Sequence, residues 1–235
     1  MKCSDFQNLL RRKANPRQAQ ILSRFFKTGP GEYGEGDQFL GLKVPQIRTA
    51  IRGAGPLSLT EIRKLSQSKY HEERLAGFLF LVNHYQKAQS EGERSQIVKT
   101  YLGLFPSLNN WDLIDTSAPL ILGPHFFLRD RSPLLKWAKS KSLWKRRTAV
   151  LTTFYFIRQK DFSTTLQLAE MLRDDEHDLI HKAVGWMLRE VGKRDLNAEL
   201  RFLRRHYKKM PRTMLRYAIE KLPESQRQAF LQSKV

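Results

Sequence analysis

Five stretches of this chain share one design: HEERLAGFLFLV at 71–82, WDLIDTSAPLIL at 111–122, WKRRTAVLTTFYF at 144–156, IHKAVGWMLREV at 180–191 and PRTMLRYAIEKL at 211–222. Aligning Ala76, Ala118, Ala149, Ala183 and Ala218 gives intervals of 42, 31, 34 and 35 residues, the lengths of helix-pair repeats. A small residue at one fixed place per repeat lets stacked helices approach closely, and such stacks form curved solenoids with a concave inner surface. Elsewhere apolar residues recur at three and four rather than two, and no Asn-Gly or Asp-Gly pair separates alternating runs. The expected fold is therefore all-α, with helices near 4–13, 16–27, 45–53, 59–67, 70–89, 91–104, 110–127, 132–139, 142–158, 161–172, 177–193, 196–208, 211–221 and 224–232. With 235 residues, one folded domain over 1–235 is expected.

One piece interrupts the pattern. Lys27 to Gly41, KTGPGEYGEGDQFLG, holds five glycines and one proline and cannot continue a helix. It is expected as a long surface loop, either functional or a mobile insertion.

Charge narrows the partners. Lys and Arg number 42 against 23 Asp and Glu, a formal charge of +19, on a chain with 40% hydrophobic residues. Such a chain is too apolar for a disordered basic tail, and its charge implies a polyanionic partner, nucleic acid before an anionic membrane surface. The longest apolar runs, such as Ala76–Val82, fall far short of the roughly 20 residues that span a bilayer, and no secretory leader is recognisable, so a cytoplasmic location is expected. Cys3, the only cysteine, is given no role.

Within the repeats, the residue two before the alanine is Arg74, Arg147 and Arg216 in three cases and His181 in a fourth. A column of bases at one register position suits a phosphate backbone; arginines that pair with acids between repeats are the alternative. In the helix 177–193, Ile180, Val184, Met187, Leu188 and Val191 form the apolar stripe and Trp186 projects nearly opposite, among Lys182, Arg189 and Lys193. An aromatic among cations suits stacking on a base or sugar beside phosphate contacts, or packing on another repeat. Trp111 and Asp115 are four apart, on one side of a helix, and Pro119 is expected to kink that helix and leave the Asp115 carbonyl without its donor. Arg146 and Arg147 both lie near the stripe of Leu143, Val150, Phe154 and Ile157, and periodicity does not choose between them. His71-Glu72-Glu73-Arg74 lacks the second histidine of a zinc HExxH, no cysteine cluster exists, and GPGEYGEGD lacks the Lys-Ser/Thr of a P-loop. Neither a metal nor a nucleotide cofactor is expected.

The segments FLGLKVPQIR (39–48), NNWDLIDTSAPLILG (109–123), LWKRRTAVL (143–151) and HKAVGWMLREVGK (181–193) resemble the AlkD-type DNA alkylpurine glycosylases of the DNA alkylation repair family, over roughly residues 16–222. The resemblance implies stacked HEAT-like repeats holding duplex DNA in a basic concave cleft. It implies hydrolysis of the N-glycosidic bond of cationic alkylated purines such as 3-methyladenine and 7-methylguanine, without base flipping, by a monofunctional enzyme acting as a monomer. It places the catalytic carboxylate on Asp115, the sugar-facing tryptophans on Trp111 and Trp186, and the backbone-gripping arginine on Arg147. Further DNA contacts are expected from Arg48, Arg74, Lys182, Arg189, Lys193 and Arg216. The loop at 27–41 is longer than its counterpart in those enzymes. A noncatalytic repeat protein that binds damaged or branched DNA is the main rival, and a protein-interaction scaffold a third possibility.

Overall fold

The computed structural model describes residues 1–235. It contains fifteen α-helices, three short 3₁₀ turns and a single isolated β-bridge, between Gln38 and Tyr70. The chain divides into two compact units, Met1–Ser117 and Ala118–Val235.

The first unit holds α1 (Cys3–Arg11), α2 (Pro16–Phe25), α3 (Val44–Arg52), α4 (Leu59–Leu65), α5 (His71–Lys87), α6 (Glu91–Gly103) and α7 (Trp111–Asp115). Its axis is α5, buried on every side from His71 to Val82, with Leu75, Ala76, Phe78, Leu79, Phe80, Leu81 and Val82 following the buried charges of its first turn. A helix with no solvent face has to be wrapped, and α3, α4, α6 and α7 pack around it. By contrast, α2 buries no residue, and it leaves Ile21 and Phe25 exposed.

The second unit holds α8 (Ala118–Phe127), α9 (Ser132–Ala138), α10 (Leu143–Arg158), α11 (Ser163–Met171), α12 (Asp178–Gly192), α13 (Leu196–His206), α14 (Arg212–Ala218) and α15 (Glu224–Leu231). Helices α8, α10, α12 and α14 pack successively on one another, with α9, α11 and α13 against them. The repeat alanines account for this closeness: Ala76, Ala118, Ala149, Ala183 and Ala218 are at most 1% exposed. Gly185 adds to it, since a Cβ there would lie 2.4 Å from the Met214 carbonyl oxygen and 2.6 Å from Tyr217 Cβ.

Two expectations are corrected. The helix expected over 110–127 is two, broken at Thr116–Ser117, and Pro119 sits in the first turn of α8, where no donor is required. The glycine-rich segment is only partly a surface loop: Gly34, Leu40 and Gly41 are buried. Gly41 has φ +85°, and a Cβ there would lie 2.1 Å from the Asn15 carbonyl oxygen, so only glycine fits where this segment crosses the start of α2.

Candidate functional site

Trp111 opens α7, capped by the Asn110 side chain, which accepts from the Trp111 N–H at 2.8 Å. Asp115 closes the same helix one turn later; both side chains are half-buried. The indole rests on an aromatic bed, stacked on Phe26 at 5.2 Å and met edge-on by Phe25 at 5.9 Å. Phe26 in turn lies on His71 at 4.8 Å and on Phe39 at 5.3 Å. Behind α7, the Tyr101 hydroxyl bonds to Ser117 at 2.9 Å, and burial pushes its acidity far down, with the Asp115 charge adding to the effect.

This bed stands on a buried chain of charges. His71 Nε2 bonds to Asp112 at 2.8 Å and its Nδ1 to Asp37 at 3.1 Å, while Arg74 clasps the second oxygen of Asp37. A ring with a carboxylate at each nitrogen must carry both protons. Burial alone would lower its pKa, but Asp112 and Asp37 outweigh burial and hold it at about 9. Asp37 answers in kind: burial is outweighed by His71 and Arg74, which keep its carboxyl below the ordinary range. The neighbours of His71 complete the hub. Glu72 accepts the backbone N–H groups of Leu40, Gly41 and Leu42, and Glu73 accepts Arg11, Gln7 and Ser68. HEER is thus a buried clamp that ties the glycine-rich segment to α5 and, through Asp112, to α7. Sequence reasoning missed it because it tested the four residues together only as a metal motif and Arg74 singly as a DNA contact.

The second tryptophan lies in the other unit. On α12 the stripe Ile180, Val184, Met187, Leu188 and Val191 is fully buried, and Trp186 is half-buried, as the helical period requires. Its Nε1 donates to Glu190 at 3.3 Å, and its ring lies 5.7 Å from Phe154. Glu190 also accepts Lys193 at 2.5 Å and Arg194 at 3.0 Å; burial pushes its pKa up, and these cations more than reverse the effect. Phe154, expected in the stripe of α10, is half-buried instead, with the guanidinium of Arg158 4.5 Å from its ring centre.

The expected column of bases does not form one face. Arg74 is 5% exposed, held by Asp37 and the Ser68 carbonyl, and is a structural cation rather than a surface contact. Arg147 is also 5% exposed and donates to the Leu179 carbonyl at 2.6 Å, tying α10 to α12. His181 is half-buried against the Asp175 carbonyl, and only Arg216 is exposed. The reason is that α5 and α10 are wrapped on all sides at this level, so the side opposite the alanine is not a solvent face. Arg146, its neighbour, pairs with Asp175 at 2.6 Å. Lys182 pairs with Asp178 and Arg189 with Glu220, while Arg48 on α3 is exposed. Trp111, Asp115, Arg48 and Arg74 belong to the first unit; Arg147, Lys182, Trp186, Arg189, Lys193 and Arg216 to the second. No group of three or more His, Cys, Asp or Glu side chains is placed to hold a metal ion, and no helix is long and apolar enough to cross a membrane.

Residues 6–222 match the model of a family described as DNA alkylation repair enzymes. No curated protein sequence matches the chain. Among solved structures, a predicted DNA alkylation repair enzyme from Enterococcus faecalis superposes with a TM-score of 0.65 at 16% identity, covering 90% of this chain and 97% of that one. At that identity the likeness is one of fold.

Proposed function

The chain belongs to the DNA alkylation repair enzyme family, and from that premise we propose that it is a monofunctional DNA glycosylase that releases cationic alkylated purines, 3-methyladenine and 7-methylguanine, from duplex DNA. The observation that carries this reading is on α7: an aromatic face and a carboxylate one turn apart, both half-exposed, on a helix held from behind by a buried ionic chain.

The chemistry suits those groups. An N-alkylated purine already bears a positive charge, so it leaves without a general acid. Cleavage of the C1′–N bond takes the electron pair onto the base and develops oxocarbenium charge on the deoxyribose. Asp115 stabilises that charge and orients the water that adds to C1′, while the π-face of Trp111 favours the cationic sugar. The water's proton passes to solvent. Arg147, 5% exposed and bonded to the Leu179 carbonyl, ties α10 to α12 and has no step in this scheme; the product is an abasic site. With no lysine nucleophile in this scheme, the strand is not cut.

The test is release of free base from duplex DNA carrying 7-methylguanine and 3-methyladenine, with Asp115→Asn in parallel. Release by the wild type alone supports the assignment. No release, with duplex binding intact, would replace it with a noncatalytic DNA-binding protein.

A further inference from the structure

Two groups of cations in the second unit differ in how they are partnered. Those around Trp186 are neutralised: Lys182 by Asp178, Arg189 by Glu220, and Lys193 and Arg194 by Glu190. Those on α13 and the turn after it are not. Arg201, Arg204, Arg205, Lys208 and Lys209 are all exposed and make no ion pair, and Arg212, which opens α14, is exposed and donates to the Leu231 carbonyl. Phe202, Leu203, His206, Tyr207 and Met210 are buried between them. Positions 201, 204, 205 and 208 share one helix face, so like charges stand as neighbours and oppose one another.

The acids of this stretch do not relieve them. Asp195 is the cap of α13, accepting from the Ala198 N–H. Glu199 is 3% exposed, one carboxyl oxygen has no partner, and burial, only partly opposed by Arg189, pushes its pKa up to about 8. The one carboxylate within α13 itself is therefore mostly protonated at neutral pH. The buried His206 ring responds to the same field: burial lowers its pKa first, and Arg205, Arg173 and Lys209 lower it further against Glu170. Glu170 reaches the patch from α11, in an open groove that it lines with Arg201, Arg205 and His206, and Asp174 lies near Lys209 but is held by Arg173.

A segment whose exposed residues from 201 to 209 are all cations keeps a repulsion that folding does not need. We propose that the exposed face of α13 and the following turn, Arg201 to Arg212, binds the phosphate backbone of duplex DNA without reading its sequence. Because α13 packs on α12 through its buried side, this contact is additional to any made at Trp186. It would hold the protein on undamaged duplex.

Binding of the full chain to undamaged duplex, measured across a salt series, tests this independently of base excision, so an absence of excision leaves the test intact. In Arg201→Ala/Arg204→Ala/Arg205→Ala the slope of log affinity against log salt should become shallower by about 2 to 3, from roughly 0.9 per phosphate contact. The corresponding triple substitution to Lys should restore it. Removing the same charge from exposed positions on and after α9, in Lys136→Ala/Lys139→Ala/Lys141→Ala, should leave the slope near the wild-type value. An unchanged slope in the α13 variant overturns the proposal, and so does an equal loss in both alanine sets, which would reduce it to net charge. Phosphatidylglycerol vesicles provide a further arm: lipid binding lost in the α13 variant, with the DNA slope unmoved, would overturn it in favour of an anionic membrane surface.

Discussion

Both tryptophans singled out by the sequence have an acid four residues on, Asp115 after Trp111 and Glu190 after Trp186, yet the two regions treat charge in opposite ways. Around Trp111 the protein buries charges and pairs them, in the line Arg74, Asp37, His71 and Asp112, and leaves Asp115 half-exposed at the end of the helix so supported. Around Trp186 the acid itself is buried and is consumed by Trp186, Lys193 and Arg194. The same spacing thus gives one half-exposed carboxylate and one buried carboxylate that organises its surroundings. Helical periodicity sets which side chains are neighbours; the partners that reach them from elsewhere set what they can do.

That contrast can be broken most forcefully at His71. His71→Ala leaves two buried carboxylates facing a void and should cost about 3–5 kcal/mol, read as a fall in the urea midpoint; a loss under 1 kcal/mol would mean the chain of charges is not what supports α7. The wild type should show the same dependence through pH. Because the folded-state pKa of His71 is raised, its contribution is fully present below about 6.5 and is lost as pH rises through about 9, an effect of about 3 kcal/mol that should vanish from the pH profile of His71→Gln.

Next in size is the catalytic contrast. Asp115→Asn should lower the single-turnover excision rate by roughly two to three orders of magnitude with duplex affinity retained, whereas Glu190→Gln should leave the chemical step within a few-fold of wild type. Equal losses in both would erase the distinction between the two acids.

The second unit contains its own buried titratable group, and it is handled by neutralisation rather than pairing. The pKa of Glu199 is raised to about 8, so folding is favoured while it is protonated and loses stability as pH rises from about 4.5 through 8. Glu199→Gln should remove that slope, which amounts to about 4 kcal/mol between pH 4.5 and pH 8, by denaturant unfolding. The smallest effect should be at Lys182, whose ion pair with Asp178 is exposed on both sides: Lys182→Ala should change stability by less than about 0.5 kcal/mol.

How much of this was legible beforehand varies by residue. The five repeat alanines and the stripe of α12 were, because burial on a helix follows its own period and needs no knowledge of the partner. Trp111 and Asp115 were placed on one helix correctly, but the break at Thr116–Ser117 was not foreseen, since Pro119 is as compatible with starting a helix as with bending one. Arg74 was expected on a DNA-facing column and is buried, because the sequence cannot say that α5 is wrapped on every side. The clamp formed by HEER was invisible for the same reason: Asp37 is 34 residues from His71 and Asp112 is 41, and nothing local links them.

By itself, then, the sequence determined an all-helical chain, the register of its repeats, its charge, and the family likeness carried by the two tryptophan segments. Each of these is fixed by short-range spacing or by composition. Only the tertiary structure decided which charges are paired, which are buried and which stand open: that His71 carries both protons between two acids, that Glu190 is consumed while Asp115 is half-exposed, and that every exposed residue from 201 to 209 is a cation. Those properties depend on desolvation and on partners tens of residues away, and both arise only when the helices pack.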